Sequence, residues 1–376
     1  WSMILQRIES VSPDSRKTPV SPEIKMAFEP GAPTGLKAIW KADGWVHIRH
    51  FDRNDNPTPV DSGSVTIVDP SGKSSEEVSL QSDSASNKHR AEISVPQGSR
   101  FEVNDSLGNS VLSNAVPVTH SGQKVCFGEF HWHTDLSCDG ARSLPRALKT
   151  AKDEICLDFA GPGDHIWSSG DFGPNATPEM QANALREIDN PGEFAVLPGA
   201  EFSCHIGHAN FYCDTIDRYL KVCSRLPAAA KAATTDPKVQ YQWDILTGAL
   251  IPEHTFLVPH HSNTNSFDKE GVVRADDGRP FWNSMNFPRG PELPHVRLME
   301  IYQIRGSFED ETTDNEWRIF SGGYGASARS ALMKGYRIGF TGGTDNHNGW
   351  PSRHVRGGKI DGFTAVLTNS IDTPSI

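Results

Sequence analysis

The stretch Phe130-His131-Trp132-His133-Thr134-Asp135-Leu136-Ser137-Cys138-Asp139-Gly140 constrains this chain most. It sets two imidazoles one residue apart at the end of an apolar run and adds a carboxylate six residues later. In an extended strand, residues i and i+2 share a face, so His131 and His133 can grip one cation together. Comparable groups follow other apolar runs: Gly163-Asp164-His165, Gly199-Ala200-Glu201, His208, His260-His261 and Asp345-Asn346-His347. Each stands just past a strand-like segment, where barrel enzymes gather catalytic groups from many strands at one rim. The pattern predicts an α/β fold in which these clusters converge.

Two compositions divide the chain. From about 35 to 120, short alternating segments (Leu36 to Ile48, Ser64 to Val68, Ala91 to Val95, Phe101 onward) are broken by Gly, Asn, Asp and Pro, the pattern of a small all-β, sandwich-like domain. It contains no metal or nucleophile constellation and is expected to be structural or to support homo-oligomers, with glycan or partner binding as the alternative. Residues 1–34 read as an N-terminal extension. After the polar linker Thr119 to Lys124, strand-like runs alternate with helical stretches at Ser143 to Glu154 and Pro178 to Ile188, so 125–376 is expected to be one α/β unit. The Ala-rich segment Leu226 to Tyr241 reads as a helix or lid, and the turn-rich insertion Asn263 to Pro294, with Phe281, Trp282 and Phe287, as a specificity loop. The final run Phe363 to Leu367 looks like a strand leading into a further helix, which raises the expectation of a fragment.

A net charge of -11 argues against a nucleic-acid or anionic-membrane binder, which would rely on a basic surface. The chain has no apolar run of about 18 residues, so no membrane span is expected. The compartment is left open, leaning cytoplasmic, with a secreted or periplasmic location as the alternative because the chain opens without a start methionine. The six cysteines, Cys126, Cys138, Cys156, Cys204, Cys213 and Cys223, form no CxxC pair and read as buried thiols; Cys138 and Cys204 flank the clusters and are the only candidates for soft ligands. Gly322-Gly323-Tyr324-Gly325 lacks the lysine and hydroxyl of a phosphate loop.

His-Trp-His, Ser-Cys-Asp-Gly, Gly-Asp-His, Gly-Ala-Glu, Pro-His-His-Ser and Gly-Thr-Asp-Asn-His, in this order over roughly Val125 to Leu367, resemble the polymerase and histidinol phosphatase (PHP) superfamily and, within it, the DUF3604 group. The resemblance implies a distorted (β/α)7 barrel with two or three divalent metal ions (Zn, Mn or Fe) at the C-terminal rim. It implies His131, His133, Glu201 and Asp345 around a first ion, His208 and His260 around a second bridged by Glu201, and Asp139, His165 and His347 around a third. Many relatives have histidine where Asp139 stands, and an oxygen ligand there favours Mn or Fe. His205 competes with His208, and His261 with His260. Strand alternation sends neighbours to opposite faces, so His260 and His261 are not expected in one site; the resemblance favours His260, which directly follows Pro259 and so occupies the family's usual ligand place.

Outside this set, His47, His50, His89, His120, His254, His295 and His354 default to structural or surface roles. Asp164 is either an orienting partner for a ligand or a strand-end turn residue. Glu300, isolated in the apolar run Leu298-Met299-Glu300-Ile301-Tyr302, is expected to face the barrel mouth or a partner. Arg305 is the candidate for gripping a substrate anion, with Arg142 and Arg353 behind it; Asp135 could cap a helix. Glu201, Asp345 and Arg305 thus form the catalytic set. The expected activity is metal-dependent hydrolysis of a small anionic substrate, a phosphate ester by resemblance. The alternatives are hydrolysis of a C–N, C–O or lactone bond, or a non-catalytic metal-binding scaffold.

Overall fold

The computed structural model describes residues 32, 34–41, 45–52, 57–58, 64–68, 75–79, 81–83, 88–92, 98, 100, 102–116, 119, 121–137, 139–173, 176–204, 207–232, 240–261, 295–304, 306–310, 327–352 and 362–376. The aromatic insertion, His205, Arg305 and Arg353 lie outside them.

The first part is built from strands alone among the described residues: β1 (Gly35–Trp40), β2 (Trp45–Phe51), β3 (Pro57–Thr58), β4 (Ser64–Val68), β5 (Ser75–Ser79), β6 (Gln81–Asp83), β7 (Lys88–Glu92), β8 (Glu102–Asp105) and β9 (Ser110–Leu112). They form two antiparallel sheets, β1-β2-β7-β6 with β3 on β2, and β5-β4-β8-β9. Leu36, Ala38, Trp40, Val46, Ile48, Val103 and Val116 form one core joining residues of both sheets. The alternating segment Leu36 to Ile48 contributes to two antiparallel strands, in which Gly35 pairs with Phe51 and Trp40 with Val46.

In the second part, β10 (Lys124–Glu129) leads into the His-Trp-His segment. Helix α1 (Leu144–Lys149) continues through a π turn, Thr150–Glu154, which widens the last part of the expected helix. Strands β11 (Phe159–Ala160) and β12 (His165–Ile166) follow, and then α2 (Pro178–Ile188), started by the Thr177 hydroxyl accepting from Met180 N, with Pro178 in the first turn. Next come β13 (Ala195–Val196), β14 (Gly199–Cys204), β15 (Gly207–Cys213), α3 (Ile216–Ala232), α4 (Gln240–Ala249), β16 (Thr255–His260), β17 (Leu298–Gln303), β18 (Gly306–Ser307), α5 (Ala328–Met333), β19 (Gly339–Gly342) and β20 (Thr364–Thr368). Helix α3 begins ten residues before the expected Leu226, and Pro227 lies inside it.

The fold is therefore mixed α/β with three further sheets: β13-β11-β10-β20, β12-β14-β15-β16 and β18-β17-β19. Strands β10, β11 and β13 are parallel, as are β12 with β14 and β17 with β19. β15 runs antiparallel to both β14 and β16. Isolated bridges join Trp132 to Asn346 and Leu257 to Val296, linking neighbouring sheets beside the clusters. A core of Trp132, Leu144, Leu148, Ile166, Phe194, Phe211 and Tyr219, among others, packs the helices against these strands.

Candidate metal centre

Strand register explains how distant residues meet. His165 pairs with Glu201 across β12 and β14, and His208 pairs with His260 across β15 and β16. Glu201 and His208 are diagonal neighbours, since Ser203 opposes His208 and Asn210 opposes Glu201. The Trp132 bridge to Asn346, together with His133 N donating to Asn346 O at 2.8 Å, lays the His-Trp-His segment beside Asp345.

Among the described residues three groups of donor atoms result: His131, His133, Glu201 and Asp345; His208, His260 and His261; and His133, Asp139, His165 and His347. The structure thus brings together all nine residues expected to hold metal. Glu201 is the hub. One of its oxygens lies 3.2 Å from His131 Nε2, 3.3 Å from His133 Nε2 and 3.4 Å from His260 Nε2. The other lies 3.2 Å from His165 Nδ1 and contacts His208 Nδ1.

The spacing suits a cation. A tetrahedral shell with bonds of about 2.0–2.1 Å has edges of about 3.4 Å. In the first group the cross-distances are 3.2 and 3.3 Å to Glu201, and 3.7 and 3.2 Å from His131 and His133 to Asp345 Oδ1. Both ring nitrogens of His260 are buried without a hydrogen-bond partner, a costly state that ligation of one nitrogen would relieve. Mixed imidazole and carboxylate donors suit zinc, manganese and iron.

Supporting residues aim the candidate ligands. His131 Nδ1 donates to Glu300 Oε2 at 2.7 Å, which turns Nε2 toward the cluster. Glu300 therefore faces a ligand from within the fold, and its neighbour Gly343 has no room for a side chain, since a Cβ there would stand 2.2 Å from Glu300 Oε2. His133 Nδ1 donates to Ser137 Oγ at 3.3 Å, and Ser137 Oγ donates to Asp164 Oδ1 at 3.0 Å. Asp164 also accepts from Thr134 N and Thr134 Oγ1, so it orients a ligand through Ser137 and fixes the loop as well. Gln303 Nε2 holds Asp345 Oδ2 at 2.6 Å and leaves Oδ1 toward the imidazoles. Glu129 accepts from the backbone and hydroxyl groups of Thr344 and Ser352, tying β10 to the segment that carries Asp345. Sequence reasoning missed Gln303 and Glu129. The only signal was a polar residue at the end of an apolar strand.

One expectation is overturned. His260 and His261 do come together, with ring centroids 4.5 Å apart, and both join His208. Strand β16 ends at His260 and His261 has φ +30°, so the alternation that would separate them stops between the two residues.

Burial and charge pull against each other here. Burial works against charge on His165, but Glu201 and Asp139 beside it outweigh that and raise its pKa to about 11. His347 is raised in the same way to about 9 by Asp139 and Asp345. Burial pushes Glu201 up, and the surrounding imidazoles overcome this and hold it well below the usual carboxylate range. His208 is lowered, chiefly by burial. Exposure is graded across the cluster: the side chains of Glu201 and His133 are fully buried, whereas His347 is 31% and Asp139 43% exposed. The third group is thus the solvent-facing mouth.

Of the remaining expectations, Arg142 lies with its guanidinium 4.0 Å over the Trp350 ring and donates to Thr150 Oγ1. Cys126, Cys156, Cys213 and Cys223 are free and buried. His50 pairs with Asp105 at 2.9 Å and His254 with Asp214 at 2.8 Å, as structural histidines. Among the described residues, no helix is long and apolar enough to cross a membrane.

No family model matches the chain, and no curated protein does. Among solved structures it is similar to a two-domain protein containing a predicted PHP-like metal-dependent phosphoesterase from Bacteroides vulgatus, with TM-score 0.40 and 11% identity over 69% of this chain and 63% of that one. The chain thus spans less than two thirds of that relative's length. It is also similar to a candidate metal-dependent phosphoesterase from Bifidobacterium adolescentis, with TM-score 0.30 and 11% identity over 62% of this chain and 92% of that one.

Proposed function

We propose that the chain is a metal-dependent phosphoesterase of the PHP superfamily, of the DUF3604-like group, acting on a small organic phosphate. The observation that carries this reading is Glu201, a buried carboxylate within 3.4 Å of four imidazoles and in contact with a fifth, at the junction of the donor groups. In this reading His131, His133, Glu201 and Asp345 hold one ion, Glu201 with His208 and His260 a second, and Asp139, His165 and His347 a third, with His261 beside the second. The ions are zinc, manganese or iron, two or three per chain. Bound there, they supply Lewis acidity and a water whose pKa falls to about 7.

The chain's own residues do the positioning. Glu300 and the Ser137–Asp164 pair keep the Nδ1 protons of His131 and His133 turned away from the cluster, so that both Nε2 atoms face it. Gln303 fixes Asp345, while Asp139 and His347 form the rim that a substrate crosses. Arg305, two residues past β17, grips an equatorial oxygen of the substrate.

Support for a distorted barrel of seven strand segments comes from the order of pairing. It runs β10-β11-β13 in one sheet, β12-β14-β15-β16 in the next and β17-β19 in a third, with the isolated bridges Leu257 to Val296 and Trp132 to Asn346 between sheets and β20 on the other side of β10. Residues 35–120 form a separate sandwich-like domain in this account.

The test is release of inorganic phosphate from a panel of mono- and diesters by protein reconstituted with manganese or zinc. Phosphate release is expected, falling to background in the double variant H131A/H133A. Full activity in that variant, or hydrolysis confined to amides and lactones, would contradict the proposal.

A further inference from the structure

The mouth of the cluster is not lined by charged groups alone. Trp167, two residues after His165, stacks loosely on that imidazole, with ring centroids 6.5 Å apart and planes at 28°, and remains 45% exposed. An exposed apolar side chain is ordinary by itself; what sets this one apart is that its aromatic face lies against an imidazole of the donor cluster. Its placement is built in. Trp167 N donates to Asp171 O at 3.0 Å and Gly170 N to Trp167 O at 2.8 Å, closing a tight turn. Gly170 has φ +86°, and a Cβ there would stand 2.6 Å from Cys223 O, so the turn is seated against α3. The turn thus anchors the backbone that carries the indole beside His165, whose Nε2 lies 3.3 Å from the half-exposed Asp139. A backbone anchored in advance lowers the ordering cost of binding, which favours a stacking platform.

We infer that Trp167 is a specificity-determining residue that stacks on a planar ring carried by the substrate's alcohol portion, so that the preferred esters are those of aryl or nucleoside-like alcohols. This rests on the phosphoesterase reading. Phosphoryl oxygens held at the donor cluster leave the ester substituent directed out past His165, where the indole stands.

The test uses two non-hydrolysable probes, phenylphosphonate and methylphosphonate, titrated calorimetrically into manganese-loaded protein. The wild type is expected to bind phenylphosphonate about fivefold or more tightly than methylphosphonate, as ring stacking supplies. W167A should remove that preference and leave methylphosphonate binding unchanged. W167F should retain most of it, and W167L, apolar but without an aromatic face, should not. Equal binding of the two probes by the wild type, or a preference that survives in W167A, would overturn the inference while leaving the phosphoesterase reading intact. Failure of both phosphonates to bind the metal-loaded protein would overturn both.

Discussion

At the scale of single residues, the candidate ligands announce themselves and their supports do not. His131, His133, Asp345 and His347 are legible because imidazoles and carboxylates crowd the ends of apolar runs, an expensive arrangement without a cation to satisfy. Glu300 carries the same warning, a charge inside an apolar strand, but its direction depends on Gly343 leaving space beside His131, which only the tertiary contact discloses. His261 is misread because a single φ of +30° ends the alternation on which the reading rests. The Glu300 contact makes a definite prediction. E300Q keeps the shape and loses the charge behind His131, so affinity for the first ion should fall by roughly tenfold or more, measured by competition with a chelator. Unchanged affinity would show that Glu300 does not orient the ligand.

At the scale of elements, α2 was readable to both ends because Thr177 and Pro178 give a start signal whose chemistry is local. Helix α3 was not: its Ala-rich composition placed the expected start at Leu226, whereas the helix starts after Thr215, whose hydroxyl accepts from Arg218 N at 3.3 Å. The strands are short, and β11 and β12 cover only Phe159–Ala160 and His165–Ile166 of the apolar run and its cluster, because pairing partners set strand ends. Close pairing also makes Gly199 indispensable. A Cβ there would stand 2.2 Å from the Tyr212 ring and 2.3 Å from Phe211 O, on the strand that carries Glu201. G199A is therefore expected to cost about 2 kcal/mol and to lower Tm by several degrees. A wild-type melting curve would contradict this account of how β14 packs on β15.

At the scale of the whole molecule, the mixed α/β architecture follows from hydrophobic period, while the joining of neighbouring sheets rests on isolated bridges such as Trp132 with Asn346 that no periodicity encodes. The cluster behaves as one electrostatic unit. Without metal, Glu201, Asp139 and Asp345 keep His165 protonated up to about pH 11 and His347 up to about pH 9, despite the opposing effect of burial. Ligation requires neutral imidazoles, so metal uptake near pH 7.5 should release protons and affinity should rise with pH, read as buffer-dependent heats in calorimetry. Heats independent of the buffer would contradict it. In the chelated protein these raised histidine values stabilise the fold fully below their unfolded value of 6.5, and that contribution is lost as pH rises through about 9 to 11. The most direct test of the central claim is elemental mass spectrometry of metal content per chain, on protein purified without added metal or chelator. Two or three equivalents of zinc, manganese or iron per chain are predicted, falling sharply in H131A/H133A; less than one equivalent, persisting after reconstitution, would contradict the metal centre and with it the proposed hydrolase.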